Sequence, residues 1–317
     1  MNWNNKNYHT LDYELKKYFG EKTIKLSING GFTCPNRDGT LSKNGCIFCS
    51  EKGSGDFAGN VDSSINKQIA DQISLLSKKW KSSTYIAYFQ SYTNTYDTVK
   101  NLQKKYFEAL NVKNVKGIAI ATRPDCINED IAKLLSQINE KTYLWVELGL
   151  QTIHESTAKL IRRGYDLEVF NEAVKLLNKY NIKVVVHLIL GLPGEKRNDI
   201  LESVKYISTK KIWGVKLHLL HILKNTDLEK FYHQTNFKIL SQEEYVNLVC
   251  DCLELLPENI VIHRVTGDGK RSELIEPMWS LNKLQVLNDI DYEFLRRNSY
   301  QGKSVLEWRK TLFTLRR

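Results

Sequence analysis

Short apolar segments alternate with longer amphipathic ones through most of this 317-residue chain, and that alternation restricts the fold more than any other feature. Brief apolar runs bounded by turns, separated by segments of helical periodicity, argue for parallel strands joined by crossover helices. Strands are expected over Thr23–Ile28, Thr84–Phe89, Gly117–Ala121, Thr142–Leu148, Lys183–Leu190 and Trp213–Leu220. Helices are expected over Ser63–Trp80, Asp97–Leu110, Glu129–Ile138, twice within His154–Tyr180, and over Arg197–Ser208. These six βα units are too few to close an eight-stranded barrel, so the expected α/β architecture is an open, partial barrel. An amphipathic helix, His9–Phe19, precedes it; a helix Gln242–Leu255, a strand Ile260–Val265 and a basic segment follow. The expected division is a helical segment 1–22, a barrel 23–240 and a basic, α-rich extension 241–317 packed on the barrel.

Composition narrows the class. Hydrophobic residues make up 42% and charged residues 26% of the chain, as in a globular protein. No apolar run approaches the ~18 residues that span a bilayer, and the first residues lack an apolar leader core. Six cysteines, three of them clustered, do not form a secreted disulfide framework. The expected location is therefore the cytoplasm, with no membrane partner. The net charge of +10 is concentrated at the end: Phe294 to Arg317 holds seven Lys/Arg against one acid, Glu307. Tyr300, Trp308 and Phe313 are interleaved with these cations. Such a mixture suits a phosphate backbone and stackable bases, or else it is a solvated helix face.

Cys34, Cys46 and Cys49, spaced C-x11-C-x2-C, lie in a glycine-rich loop directly after the first expected strand. In parallel α/β folds ligands bind at that end of the strands. Three soft donors suit zinc or an iron–sulfur cluster, and three rather than four leave one coordination position for chemistry. For zinc, Cys126 could complete the set. Cys250 and Cys252 fall in a helix, where i and i+2 point apart.

Strand alternation places further polar groups inward. In Tyr143–Leu148 the set Leu144, Val146, Leu148 should pack under helices, which turns Glu147 into the barrel. The same reasoning turns His187, Lys216 and His218 inward, and Tyr88 and Gln90 likewise. Charges on core strands cost several kcal/mol unless paired or solvated, so a polar, ligand-holding lumen is expected; the alternative is a structural Glu147–Lys216 ion pair. His9, His154, His233 and His263 are expected on the surface or on helices. Gly191-Leu192-Pro193-Gly194-Glu195 is a strand-to-helix turn that could admit a nucleoside.

These stretches together resemble radical S-adenosylmethionine (SAM) enzymes, and within them the YhcC/YtqA-type group related to the catalytic subunit of Elongator. The resemblance runs through essentially the whole chain. It is carried by Cys34-Pro35-Asn36-Arg37-Asp38-Gly39 to Cys49, Phe89 to Thr95, Ala121-Thr122-Arg123-Pro124-Asp125, Glu147 to Thr152, and His187 to Glu195. It implies a TIM-like (β/α)6 partial barrel of the radical SAM type, with a [4Fe–4S] cluster on Cys34, Cys46 and Cys49. SAM would chelate the fourth iron, and its reductive cleavage would release a 5′-deoxyadenosyl radical that takes a hydrogen atom from the substrate. A low-potential donor such as flavodoxin or ferredoxin would supply the electron. Phe48 matches the position that packs near adenine. Gln90 and Ser91 stand where many relatives carry Gly-Gly-Glu for the SAM amino group. Arg123, Glu147, Gln151, His187, Ile189 and Gly191 fall in regions matching SAM contacts, and Tyr88, Lys216 and His218 are candidates for substrate contact or proton transfer. The eleven-residue gap departs from the commoner C-x3-C-x2-C and occurs in the Elongator branch, but the chain carries no acetyltransferase domain. The expectation is an enzyme acting at the 5-substituent of tRNA wobble uridine, for example carboxymethylaminomethyl-uridine to aminomethyl-uridine. The alternatives are radical SAM chemistry on a small molecule or protein, and a non-catalytic zinc-stabilised RNA-binding protein.

Overall fold

The computed structural model of the protein describes residues 3–53, 55, 57–305 and 308. The chain opens with α1 (Leu11–Phe19) and β1 (Thr23–Ile28), then α2 (Ile65–Ser77), β2 (Thr84–Phe89), α3 (Val99–Leu110) and β3 (Val115–Thr122). Next come α4 (Glu129–Asn139), β4 (Tyr143–Gln151), α5 (Glu155–Leu160), α6 (Leu167–Lys179), β5 (Lys183–Leu190), α7 (Arg197–Ser208) and β6 (Gly214–Leu219). The remainder is β7 (Ile222–Leu223), α8 (Asp227–Thr235), α9 (Gln242–Glu254), β8 (Val261–Arg264), β9 (Leu274–Glu276) and α10 (Lys283–Arg296). Seven strands follow the order β1-β2-β3-β4-β5-β6-β8, and β7 pairs separately with β9. The parallel α/β expectation holds, and Ile260–Val265 proves to contain a seventh strand, parallel to β6.

Helices begin where a side chain satisfies an otherwise unpaired N–H. Ser64, Thr98, Asn128 and Asp166 cap α2, α3, α4 and α6 in this way. Ser241 and Glu244 form a reciprocal capping box on α9.

The chain divides into two compact units, neither continuous in sequence. One comprises Glu14–Leu150 and Lys159–Val186. Within it β1 to β4 run parallel in register. One face carries Leu26, Ala87, Ile118 and Leu144, then Ile28, Phe89, Ile120 and Val146. Phe89 packs edge-on against Tyr106 of α3, so this is the helix-covered face. The other face carries Lys25, Tyr88, Ala119, Trp145 and Glu147, as the alternation predicts.

The second unit comprises Met1–Tyr13, Gln151–Ala158 and His187–Arg317. Its core lies under α9 and α10, with Tyr245, Val249, Leu253, Ile290 and Phe294 fully buried. His263 is a correction: it sits on β8 and meets the edge of Trp213, with ring centroids 4.9 Å apart, rather than lying on a helix or the surface.

Candidate active site

The loop between β1 and α2 is wound around its own carbonyls. The Arg37 and Asp38 amides donate to the Cys34 carbonyl at 2.8 and 3.0 Å, and Cys49 donates to the Cys46 carbonyl at 3.0 Å. The Arg37 guanidinium donates to the Cys49 and Ser50 carbonyls at 2.6 and 2.7 Å, tying the two ends of the motif together. Gly45 sits at φ 70°, and a Cβ there would fall 2.8 Å from Arg37 Nε, so this position requires glycine.

None of the six cysteines is in a disulfide, and Cys34, Cys46 and Cys49 are half-buried. Burial, followed by the charges of Cys49 and Cys34, pushes the Cys46 thiol up to about 12; the Arg123 guanidinium and an Asn36 N–H oppose that rise. The three thiols therefore lie within electrostatic reach of one another. Their sulfurs do not gather within 4.8 Å of each other. A tetrahedral zinc, with Zn–S of about 2.3 Å, would hold thiolates roughly 3.8 Å apart. Three soft donors in one loop suit a zinc or a multi-iron centre. Cys126 ends a short 3-10 turn after β3, half-buried, with its thiol also pushed up to about 12 by burial and then by Asp125.

Gln90, Ser91 and Tyr92 leave the end of β2 and meet the cysteine loop. The Tyr92 amide donates to the Gly53 carbonyl at 2.9 Å, and its hydroxyl donates to the Glu51 carbonyl. Tyr92 adopts φ 59°, a costly conformation for a ring-bearing residue and one that clusters at functional sites. Ser91 is fully buried, and its hydroxyl has no hydrogen-bond partner among the described residues. A Cβ at Gly55 would land 1.9 Å from that hydroxyl. The Ser91 hydroxyl therefore packs directly against Gly55, which leaves no room for a side chain there. Phe48 and Gln90 are half-buried.

Glu147 is fully buried and accepts from the Tyr88 hydroxyl at 2.9 Å and the Trp145 indole N–H at 2.9 Å. Tyr88 lies on β2 and Glu147 on β4, two strand spacings or ~9.6 Å apart. The contact exists because the intervening residues are small: Ala119 is in register with Tyr88 and Trp145, and Ala121 with Glu147. The Lys25 ammonium lies 4.9 Å from the Tyr88 ring centroid. Arg123 is buried. It grips Asp125 through Nε and Nη2 at 2.9 and 2.7 Å, and donates from Nη1 to the Arg163 carbonyl at 2.9 Å. Arg123 and Arg163 both lie against the Tyr165 ring, 4.8 and 4.9 Å from its centroid. Asn36, Arg163, Gly164 and Trp145 were not legible as site residues in the sequence.

The second unit holds the remaining candidates. On β5, His187 and Ile189 are half-exposed while Val186, Leu188 and Leu190 are buried, as the alternation predicts. The His187 and His218 rings pair at 4.9 Å, and Lys216 is buried two residues before His218. Gln151 ends β4 at φ 63°, and Gly191 directly follows β5 at φ 88°. The Thr152 hydroxyl donates to Glu195, whose carboxyl is raised above its usual range by burial. This bond joins the Gln151 turn to the Gly191–Glu195 turn. His154, Asp199 and Glu202 are the group of described residues with ligand atoms within 4.8 Å, but His154 Nε2 already bonds the Asp199 carbonyl at 2.9 Å.

The C-terminal segment reads differently in three dimensions. Trp308 is buried, and Arg297 bonds Asp251 and Glu293 at 2.8 and 2.5 Å. Arg296 also grips Glu293. Arg297 and Trp308 are thus spent on the fold, which corrects that part of the basic-tail expectation, while Arg296 keeps 61% of its side chain exposed. Tyr300 is exposed. Arg309, Lys310, Phe313, Arg316 and Arg317 lie outside the described residues.

Two family models match the chain: the radical SAM superfamily over residues 33–207, and the radical SAM C-terminal domain over residues 212–296. The Bacillus subtilis (strain 168) protein YtqA is 49% identical over 298 residues, 94% of this chain and 92% of YtqA. The tRNA uridine(34) acetyltransferase of Methanocaldococcus infernus is 24% identical over 191 residues, 59% of this chain and 34% of that protein. Among solved structures, archaeal Methanocaldococcus infernus Elp3 with an N-terminal deletion (1–46) shares the fold, with TM-score 0.65 and 18% identity over 87% of this chain and 63% of that one. Among the described residues no helix is long and apolar enough to cross a membrane. With its partial-barrel α/β fold, thiol loop and matched family models, the chain belongs to the radical SAM superfamily and is an enzyme of that type.

Proposed function

We propose that this radical SAM enzyme acts on tRNA, at the 5-substituent of wobble uridine, with trimming of carboxymethylaminomethyl-uridine to aminomethyl-uridine as the concrete reaction. One observation carries the tRNA reading: the similarity to a protein named for tRNA uridine 34, with the Elp3 fold beside it. The match spans about a third of that relative, so its acetyl transfer is not carried over. Cys34, Cys46 and Cys49 are the proposed ligands of a [4Fe–4S] cluster, and the buried Ser91 hydroxyl is a proposed polar contact for SAM. When bound, that pair supplies the 5′-deoxyadenosyl radical that removes a substrate hydrogen. Glu147, held by Tyr88 and Trp145, is proposed as part of the SAM-contact region. Lys216 and His218 are proposed for substrate contact or proton transfer.

The test compares tRNA nucleosides from cells with and without the gene by mass spectrometry. An accumulating carboxymethylaminomethyl precursor supports the proposal; an unchanged set of wobble uridines overturns it. The commitment of Arg297 and Trp308 to the fold favours a second reading, radical chemistry on a small molecule or protein. Electrophoretic mobility with tRNA at two salt concentrations separates the two, because phosphate-driven binding falls steeply with salt.

A further inference from the structure

We propose that Asn36 is a positioning residue that sets the reduction potential of the iron–sulfur centre through the Cys46 sulfur, with the Arg123 guanidinium acting in the same direction. The inference rests on the reading of Cys34, Cys46 and Cys49 as cluster ligands. Asn36 is buried, and its amide nitrogen donates to Cys46 Sγ at 3.5 Å and to the Arg162 carbonyl at 2.7 Å. An amide NH2 has two hydrogens, so one goes to the sulfur while the other is anchored. The anchor is itself built. The Ile161 carbonyl accepts from the Ile47 amide at 3.2 Å, and the Arg163 carbonyl accepts from Arg123 at 2.9 Å. Three consecutive carbonyls, 161 to 163, thus hold the cysteine loop, the Asn36 amide and the Arg123 guanidinium in fixed relation. The turn is possible because Arg162 and Gly164 adopt φ 56° and 83°. A Cβ built on Gly164 would lie 3.4 Å from both Arg123 Nη2 and Asn36 Oδ1, so both groups border this one residue.

The chemistry follows from charge. One-electron reduction adds negative charge to the centre, and an N–H aimed at a ligating sulfur stabilises it, as does a nearby cation. Arg123 is paired with Asp125, which offsets much of its charge, so its effect is the smaller of the two.

The experiment is a redox titration, followed by electron paramagnetic resonance, of the full-length protein reconstituted anaerobically with iron and sulfide. In Asn36→Ala the ratio of reduced to oxidised centre at a fixed potential should fall about tenfold, equivalent to 59 mV for one electron. Arg123→Gln should fall by less, and Arg123→Lys should stay near wild type. Electron–nuclear double resonance of reduced wild type in D2O should show an exchangeable deuteron coupling that Asn36→Ala lacks. Full loading of Asn36→Ala with an unchanged midpoint overturns the inference while the cluster reading stands. Should Asn36→Ala not load iron, Asn36→Ser and Asn36→Gln carry the titration; failure of all three to load makes the residue purely structural and overturns the inference. A wild-type protein that binds no iron removes the underlying reading itself.

Discussion

Two regions of the molecule carry closely spaced cysteine pairs, and they put the same side chain to opposite uses. Cys46 and Cys49 lie in a loop whose carbonyls are tied by Arg37, with an amide N–H aimed at one sulfur and a guanidinium in electrostatic reach. Cys250 and Cys252 lie on α9, both wholly buried; the Cys250 thiol donates to the Ile290 carbonyl at 3.8 Å. Burial raises the thiol in both regions. The difference lies in what surrounds the sulfur. The loop supplies an N–H donor and a guanidinium that favour a thiolate, whereas around Cys250 burial, a carbonyl and the carboxylates Glu293, Glu254 and Asp251 favour the thiol against the single nearby cation Arg297. A cysteine's neighbours, more than its spacing, decide whether it is a ligand or a small apolar residue.

The sharpest way to break this contrast is substitution. Cys34→Ala, Cys46→Ala or Cys49→Ala should each reduce bound iron and sulfide, measured after anaerobic reconstitution, to near zero. Cys250→Ala and Cys252→Ala should load fully while losing about 1 kcal/mol of stability from the small cavity. Loss of iron from either helix variant would erase the distinction.

Alkylation of the iron-free protein gives the next largest effect. Cys34 and Cys49 are partly accessible, so mass spectrometry should find them modified at least about a hundredfold faster than Cys250 and Cys252. Unfolding should make all six react alike. Equal rates in the folded protein would show that α9 opens readily.

Smaller effects probe what frames each region. Gly164→Ala forces a Cβ onto a left-handed turn and should cost about 1–2 kcal/mol in chemical denaturation. It should lower iron loading without abolishing it. Around α9 and α10, Arg296 and then Arg297 hold the Glu293 carboxyl down at about 2. Because this folded-state value lies below the ordinary carboxylate value of 4.5, the stabilisation is fully present above pH 4.5 and is lost as pH falls toward 2. With solvent around Arg296 discounted, it amounts to about 1 kcal/mol. The stability gap between wild type and Glu293→Gln should therefore close between pH 4.5 and 2.5; a constant gap would show that the ion pairs contribute nothing through charge.

Much of the fold was legible because its signals are local. Thr23–Ile28, Thr84–Phe89, Lys183–Leu190 and Arg197–Ser208 have the expected ends, each punctuated by turn or capping residues. Ser63–Trp80 shortens to Ile65–Ser77 because the Ser64 hydroxyl accepts from Lys67 and fixes the first turn. Helix α8 went unassigned since Asp227–Thr235 is short and mostly polar, although Thr226 with Asp227 and Glu229 is a capping signal. Helix α10 was not assigned individually, and the charge count of the C-terminal segment began one residue after Glu293, the acid that pairs with Arg296 and Arg297. In the site, Glu147 was found by alternation alone. Asn36 was not, because its anchor lies 126 residues away along the chain. No period or motif reports a contact of that kind.

Ala119 and Ala121 show what a strand achieves by omission. Because β3 offers only methyl groups on that face, the Tyr88–Glu147 bond passes over it and fastens β2 to β4 like a cross-brace over an idle beam. Such a brace resists shear: the three strands cannot slide past one another without breaking a bond that none of the sheet's own ladders contains. Filling the gap with the branched side chain of Ala119→Val would leave every ladder bond in place yet disconnect the brace, turning a stiff trio of strands into three neighbours held only in pairs.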